Sequence, residues 1–136
     1  MTIRVRSLTD TQERQAAIPA LSDLRIRVFR EWPYLYEGTA DYEAEYLAEF
    51  IDAPGAVLVV ATDDVAVVGA ATASPMAGQK PEFQEPLQRR GLDVARIFYF
   101  GESVLLPQYH GQGIGHQFFD AREAAARAAG AAQASF

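Results

Sequence analysis

The sequence predicts an α/β domain, of the α+β kind, whose elements run β-α-α-β-β-β-α. Three observations point there. Two valine-rich runs, 56–61 and 65–72, flank a short Asp63-Asp64 turn, which reads as an antiparallel hairpin. Two stretches upstream of them place apolar residues at helical spacing. Downstream, a strand-like run ending at Pro107 meets a turn with alternating glycines and then an alanine-rich stretch. The 136 residues, 49% hydrophobic and 22% charged, suit one core. Residues 1–136 therefore read as a single domain, with no repeat or low-complexity linker.

Residues 3–7 alternate apolar and polar and form the first strand. Thr9, Asp10 and Thr11 offer caps for a long helix in which Ile18, Leu21, Leu24, Val28 and Phe29 share a face. Pro33 marks its end. An aromatic loop with Trp32, Tyr34 and Tyr36 follows. A second helix is expected at 41–51, with Tyr42, Tyr46, Leu47 and Phe50 on one side, stopped by Ala53-Pro54-Gly55. After the hairpin, 74–79 reads as loop and 81–90 as a short helix or irregular excursion. Residues 96–106 form the next strand, and 114–129 a helix stopped by Gly130.

Composition excludes several classes. The formal net charge of −6 argues against a nucleic-acid partner. Without cysteine there are no disulfides, thiolate metal sites or cysteine nucleophiles. Two histidines without a carboxylate cluster make a poor metal site, so no metal is expected. No apolar run is long enough to span a bilayer, and the N-terminus has no export pattern. The expectation is a cytoplasmic protein with no membrane partner.

The informative segment is 101–121. In Tyr109-His110-Gly111-Gln112-Gly113-Ile114-Gly115-His116, glycines at every second position let a ligand approach the backbone. The helix that begins there has free N–H groups and a positive dipole end, which favour a phosphate. No acidic residue lies between Tyr109 and Phe119. For any one glycine, a turn that needs it only for chain reversal is the plainer reading, but three alternating glycines between a strand and a helix favour an anion site. The spacing G-x-G-x-G is neither the dinucleotide fingerprint nor the P-loop.

On the preceding strand, strict alternation puts Glu102 on one face with Phe98, Phe100, Val104 and Leu106. Burial there would raise its pKa and make it a proton acceptor. Gly101 suggests a bulge that would instead rotate Glu102 towards a cleft. The alternative role for Glu102 is structural, paired with an arginine such as Arg96 or Arg4.

The run from Glu102 to Gly115 resembles the signature of the GNAT (Gcn5-related) N-acetyltransferase superfamily. Its phosphate motif, R/Q-x-x-G-x-G/A, maps onto His110-Gly111-Gln112-Gly113-Ile114-Gly115. The resemblance implies a mixed, mostly antiparallel central sheet flanked by helices. It implies that His110, Gly111, Gln112, Gly113, Ile114, Gly115 and His116 hold the pyrophosphate of acetyl-CoA. It places a thioester-polarising N–H on Leu105, flanked by Val104 and Leu106, a general base on Glu102, and acceptor contacts on Trp32, Tyr34 and Tyr36. His110 stands where the family has Arg or Gln, so cofactor affinity is expected to be weaker and pH-dependent. The family continues through a full fifth strand, a fourth helix and closing strands. Residues 132–136 supply only the beginning of that strand, so the chain reads as truncated or completed by a partner, with dimerisation expected.

The implied activity is acetyl transfer from acetyl-CoA to a primary amine, by direct attack in a ternary complex without a covalent intermediate. The expected acceptor is a small-molecule or peptide amine, and its identity stays open. A non-catalytic acyl-CoA-binding or interaction module of the same fold, and a nucleotide-phosphate binder of another fold, are the rival readings.

Overall fold

The computed structural model describes residues 2–31 and 33–136. One five-stranded sheet runs in the spatial order β1-β2-β3-β4-β5. Its members are β1 (Ile3–Leu8), β2 (Val57–Asp63), β3 (Ala66–Pro75), β4 (Ile97–Leu105) and β5 (Gln133–Ser135). The first four pair antiparallel, and β5 lies parallel to β4. That parallel step needs a crossover, which helix α4 (Ile114–Ala128) provides.

Local chemistry sets the helix ends. Asp10 accepts the Gln12 N–H at 3.0 Å and starts α1 (Thr11–Arg30). Thr39 does the same for α2 (Ala40–Asp52), accepting from Tyr42 N–H at 3.2 Å. The excursion after the hairpin resolves into a helix, α3 (Pro81–Arg89), with proline at its first turn where no N–H is missed. The return strand β3 runs to Pro75, beyond the expected end, because Ala73 to Pro75 continue to pair with β4.

One helix face differs from the sequence reading. The buried side of α2 is Glu43, Leu47 and Ile51, while Tyr42 and Tyr46 are exposed. Hydrophobic size suggested the tyrosines. Instead the inward row is i, i+4, i+8 and begins with a carboxylate.

The sheet's two faces are covered by different helices. On one face, the missing Cβ of Gly69 would meet Phe118 of α4, and Phe100 packs edge-on against Phe119 at 5.3 Å. On the other face, Arg25 of α1 reaches Glu102 and binds Glu43 of α2. Two core clusters fill the layers: one centred on Val59, Leu21, Leu24 and Phe118, and a smaller one on Phe98, Phe100 and Ala126.

The register between β3 and β4 slips once. Ser103 faces Ala71 and Phe100 faces Ala73, so Thr72 stands opposite both Gly101 and Glu102. This is the bulge that Gly101 suggested. A Cβ on Gly101 would lie 2.6 Å from Thr72 Oγ1, so the close approach requires glycine. The slip also corrects the strict-alternation reading. Phe98 and Phe100 face α4, whereas Glu102 has crossed to the α1–α2 face.

Candidate active site

The glycine turn is built by backbone geometry. Pro107–Tyr109 form a single 3-10 turn, and the Tyr109 hydroxyl donates to Asp63 Oδ2 at 2.7 Å, tying it to the end of β2. That bond raises the Tyr109 pKa, with desolvation adding to it. Gly111 and Gly113 have φ of 77° and 81°, the left-handed region that a side chain disfavours. Gly113 caps α4 with no side chain on the cap, and there is no acid in the first turn. Around Gly111, Gly113 and Gly115 the space a Cβ would fill is open. The N–H groups that open α4 are therefore approachable, and Ile114 itself is buried. Gln112 and His116 are exposed beside them.

A cleft of about 790 Å³ runs from this turn to the end of α1. Val104, Leu105 and Leu106 form one wall, with His110 at the turn end. Arg27, Arg30 and Tyr34 line the opposite wall, beside Glu31. Two guanidinium groups on the wall of this cleft suit an anionic ligand.

The strand edge in this cleft is open. Leu106 donates its N–H to the Val68 carbonyl of β3 at 3.0 Å. By alternation Leu105 turns its own N–H and carbonyl to the other edge, towards β5. Among the described residues β5 pairs only with 97–99, so it does not reach Leu105. His110 Nε2 lies 3.2 Å from the Leu105 carbonyl on that edge, and in the Nε2–H tautomer it donates to it.

Glu102 sits in an ion network that the sequence did not reveal. Its Oε2 accepts from Arg25 Nη1. Arg25 Nε also donates to Glu43 Oε2, and Glu43 Oε1 accepts from the Tyr36 hydroxyl at 2.7 Å. Glu43 is 0% exposed, so its charge depends on these partners. Burial acts to lower the Arg25 pKa, but the hydrogen bonds and charges of Glu102 and Glu43 outweigh it and hold it above its usual value. The Glu43 carboxylate, aided by desolvation, pushes the Tyr36 phenol up to about 12. The Arg25 guanidinium also stacks over Tyr46 at 4.6 Å and Phe29 at 5.2 Å.

Glu102 keeps 26% of its side chain exposed. It opens on a second cleft of about 580 Å³, walled by Tyr46, Glu49, Phe50 and Tyr99, with Lys80 at its margin. Glu102 thus faces this cleft, while Ser103 to Leu106 line the first.

The aromatic-loop residues divide. Tyr34 is 66% exposed, packs edge-on against Phe29 and lines the first cleft. Tyr36 is committed to Glu43. Trp32 lies outside the described residues. The arginine partner of Glu102 is Arg25, not Arg4 or Arg96. Arg25 carried no sequence signal, being one of several arginines on α1. Glu43 did carry one: it begins the inward row completed by Leu47 and Ile51. Among the described residues no group of three or more His, Asp or Glu gathers to hold a metal, and no helix is long and apolar enough to cross a membrane.

Solved structures share this architecture. Aminoglycoside N-acetyltransferase AAC(6')-Iy in complex with CoA superposes with a TM-score of 0.71 at 16% identity, over 98% of this chain and 75% of that one. AAC(6')-Ih from Acinetobacter baumannii gives 0.69 at 14% identity, over 99% and 80%. A ribosomal-protein-alanine N-acetyltransferase from Brucella melitensis biovar Abortus 2308 gives 0.64 at 14%, over 98% and 77%. At such identities the likeness concerns the fold. No curated protein sequence matches significantly. The family model "Acetyltransferase (GNAT) family" matches residues 19–135. With that match spanning most of its length, the chain belongs to the GNAT acetyltransferase family.

Proposed function

We propose that this chain is an N-acetyltransferase that moves an acetyl group from acetyl-CoA to a primary amine by direct attack in a ternary complex. One observation carries the reading. Glu102 and Leu105 lie three residues apart on β4; the bulge sets Glu102 on the α1–α2 face, opening on one cleft, and Leu105 lines the other. A proton acceptor and a polarising N–H thereby address two approaches to one strand.

Acetyl-CoA, when bound, supplies an activated thioester. The amides of 111–116 bind its pyrophosphate, and Arg27 and Arg30 add positive charge along the cleft. Val104 and Leu106 flank the Leu105 N–H, which stabilises the oxyanion, a contribution worth about 2.7–4 kcal/mol in other enzymes. An alkylamine with pKa near 10.4 is protonated at neutral pH, and freeing its lone pair costs about 4.6 kcal/mol. Glu102 takes that proton, directly or through water. The amine nitrogen bonds to the carbonyl carbon, the C–S bond breaks, and the sulfur leaves as the CoA thiol after protonation. The acceptor enters by the cleft of Tyr46, Glu49 and Tyr99, whose carboxylates and rings suit a cation. Tyr34 borders the acyl side, and Tyr36 acts through Glu43.

The second reading, a non-catalytic acyl-CoA-binding module, draws on the Arg25 contact that engages Glu102 Oε2. Calorimetry with acetyl-CoA, followed by thiol release across a panel of primary amines, separates the two. Binding with amine-dependent thiol release supports the enzyme. Binding without release from any amine supports the module, and absence of binding removes both.

A further inference from the structure

Arg122 is a buried cation for which the proposed reaction has no use. It lies on α4, two turns beyond the glycine turn, and is 7% exposed. Among the described residues it has no carboxylate within ion-pair distance. Burial lowers its pKa, with no opposing charge to raise it. A desolvated, unpaired guanidinium is costly unless its N–H groups are engaged. One of its engagements anchors it on its own helix and two reach the sheet beside the bulge. Nη1 donates to the Thr72 carbonyl at 3.4 Å, Nε donates to the Phe118 carbonyl at 3.3 Å, and the guanidinium stacks 4.9 Å from the Phe100 ring.

Thr72 is the residue opposite the bulge. On the α1–α2 face its hydroxyl accepts the Glu102 N–H at 3.1 Å. A regular ladder would bring that N–H to the Thr72 carbonyl. Here the hydroxyl takes the N–H, and the carbonyl accepts from Arg122 arriving from the α4 face. Thr72 is thus gripped from both sides of the sheet at the point where β4 changes face.

We propose that Arg122 is a positioning residue: from the α4 side it braces the Thr72–Gly101–Glu102 bulge and so holds the Glu102 carboxylate against Arg25 on the acceptor cleft wall. The catalytic consequence rests on the reading of Glu102 as proton acceptor. The brace itself does not. Because α4 also carries the glycine turn at its start, one rigid helix sets both the phosphate grip and the placement of Glu102.

The test uses the full isotope-labelled chain and three variants, Arg122→Met, Arg122→Lys and Thr72→Val. In Arg122→Met the Glu102 amide should exchange with solvent about tenfold faster, as expected for one lost restraint, while β1–β2 amides hold their rates. The Arg25 guanidinium resonances should lose their ion-paired character. The kcat for acetyl transfer should fall on the order of 100-fold, as for a displaced catalytic group, at unchanged CoA affinity. Arg122→Lys should restore part of each readout, and Thr72→Val should reproduce the loss from the opposite face. Unchanged Glu102 exchange and Arg25 resonances in Arg122→Met overturn the proposal. A change in both with kcat intact keeps the brace and removes Glu102 as the proton acceptor. If the parent chain transfers acetyl to no amine, the acetyltransferase reading fails separately, and exchange and resonances still decide the brace. Should Arg122→Met not fold, Arg122→Lys, whose ammonium keeps only part of the brace, decides it: unchanged Glu102 exchange and Arg25 resonances there overturn the proposal.

Discussion

Replacing Arg25 with methionine tests the network that joins α1, α2 and β4. The Glu43 carboxylate is fully buried and has, among the described residues, two partners, Arg25 Nε and the Tyr36 hydroxyl. Removing Arg25 leaves a desolvated charge with one neutral donor. Breaking a buried pair on one side costs about 3–5 kcal/mol. Loss of the stacks on Tyr46 and Phe29 adds roughly 0.5–1 kcal/mol each, partly recovered by methionine packing. Against a total stability of about 5–15 kcal/mol, that is a large fraction. Urea unfolding should show the loss in the midpoint with little change in slope. The double variant Arg25→Met/Glu43→Leu should recover much of it, since an apolar pair can replace a buried ion pair at little cost. A loss below about 1 kcal/mol in the single variant would refute the reasoning. So would strict additivity in the double variant, because contacting residues must couple.

Four further outcomes are expected. The Tyr36 phenol, pushed up to about 12, should titrate above its usual range in an ultraviolet pH titration, and the late step, which Tyr46 and Tyr109 share, should shrink by one tyrosine in Tyr36→Phe. Its folded pKa exceeds its unfolded one, so the stability this bond contributes is full below pH of about 10 and is lost as pH rises towards 12. Gly113→Val forces a β-branched residue to a φ of 81°, which should cost about 1–2 kcal/mol of stability and abolish CoA binding by calorimetry. Retained affinity there would remove the turn from the cofactor site. Glu102→Gln should lower acetyl transfer most at neutral pH with CoA affinity unchanged, and an unaltered pH–rate profile would return Glu102 to a structural role. Gly101→Ala places a Cβ 2.6 Å from Thr72 Oγ1, so it should speed exchange of the Glu102 amide and lower stability in the same urea assay.

Short-range chemistry was legible in the chain itself. The Asp10 cap, the valine hairpin and the helix opening behind alternating glycines are each written within a few residues, because capping, pleating and positive φ are local preferences. The glycine turn could therefore be located to the residue. Gly101 announced a bulge, although strict alternation still put Glu102 on the wrong face.

What crosses the sheet was decided only by the tertiary structure. Arg25 meets Glu102 across a sequence separation of 77 residues, and Arg122 meets Thr72 across 50. No local pattern distinguishes either arginine from its neighbours on α1 and α4. Which arginine becomes buried and paired depends on how each helix docks on the sheet. The one-residue slip in β4 then decides which face, and which cleft, receives the carboxylate. Sequence thus located the strand, turn and helix, because those are local. The partners that aim Glu102 emerged only on folding, because packing brings distant residues together.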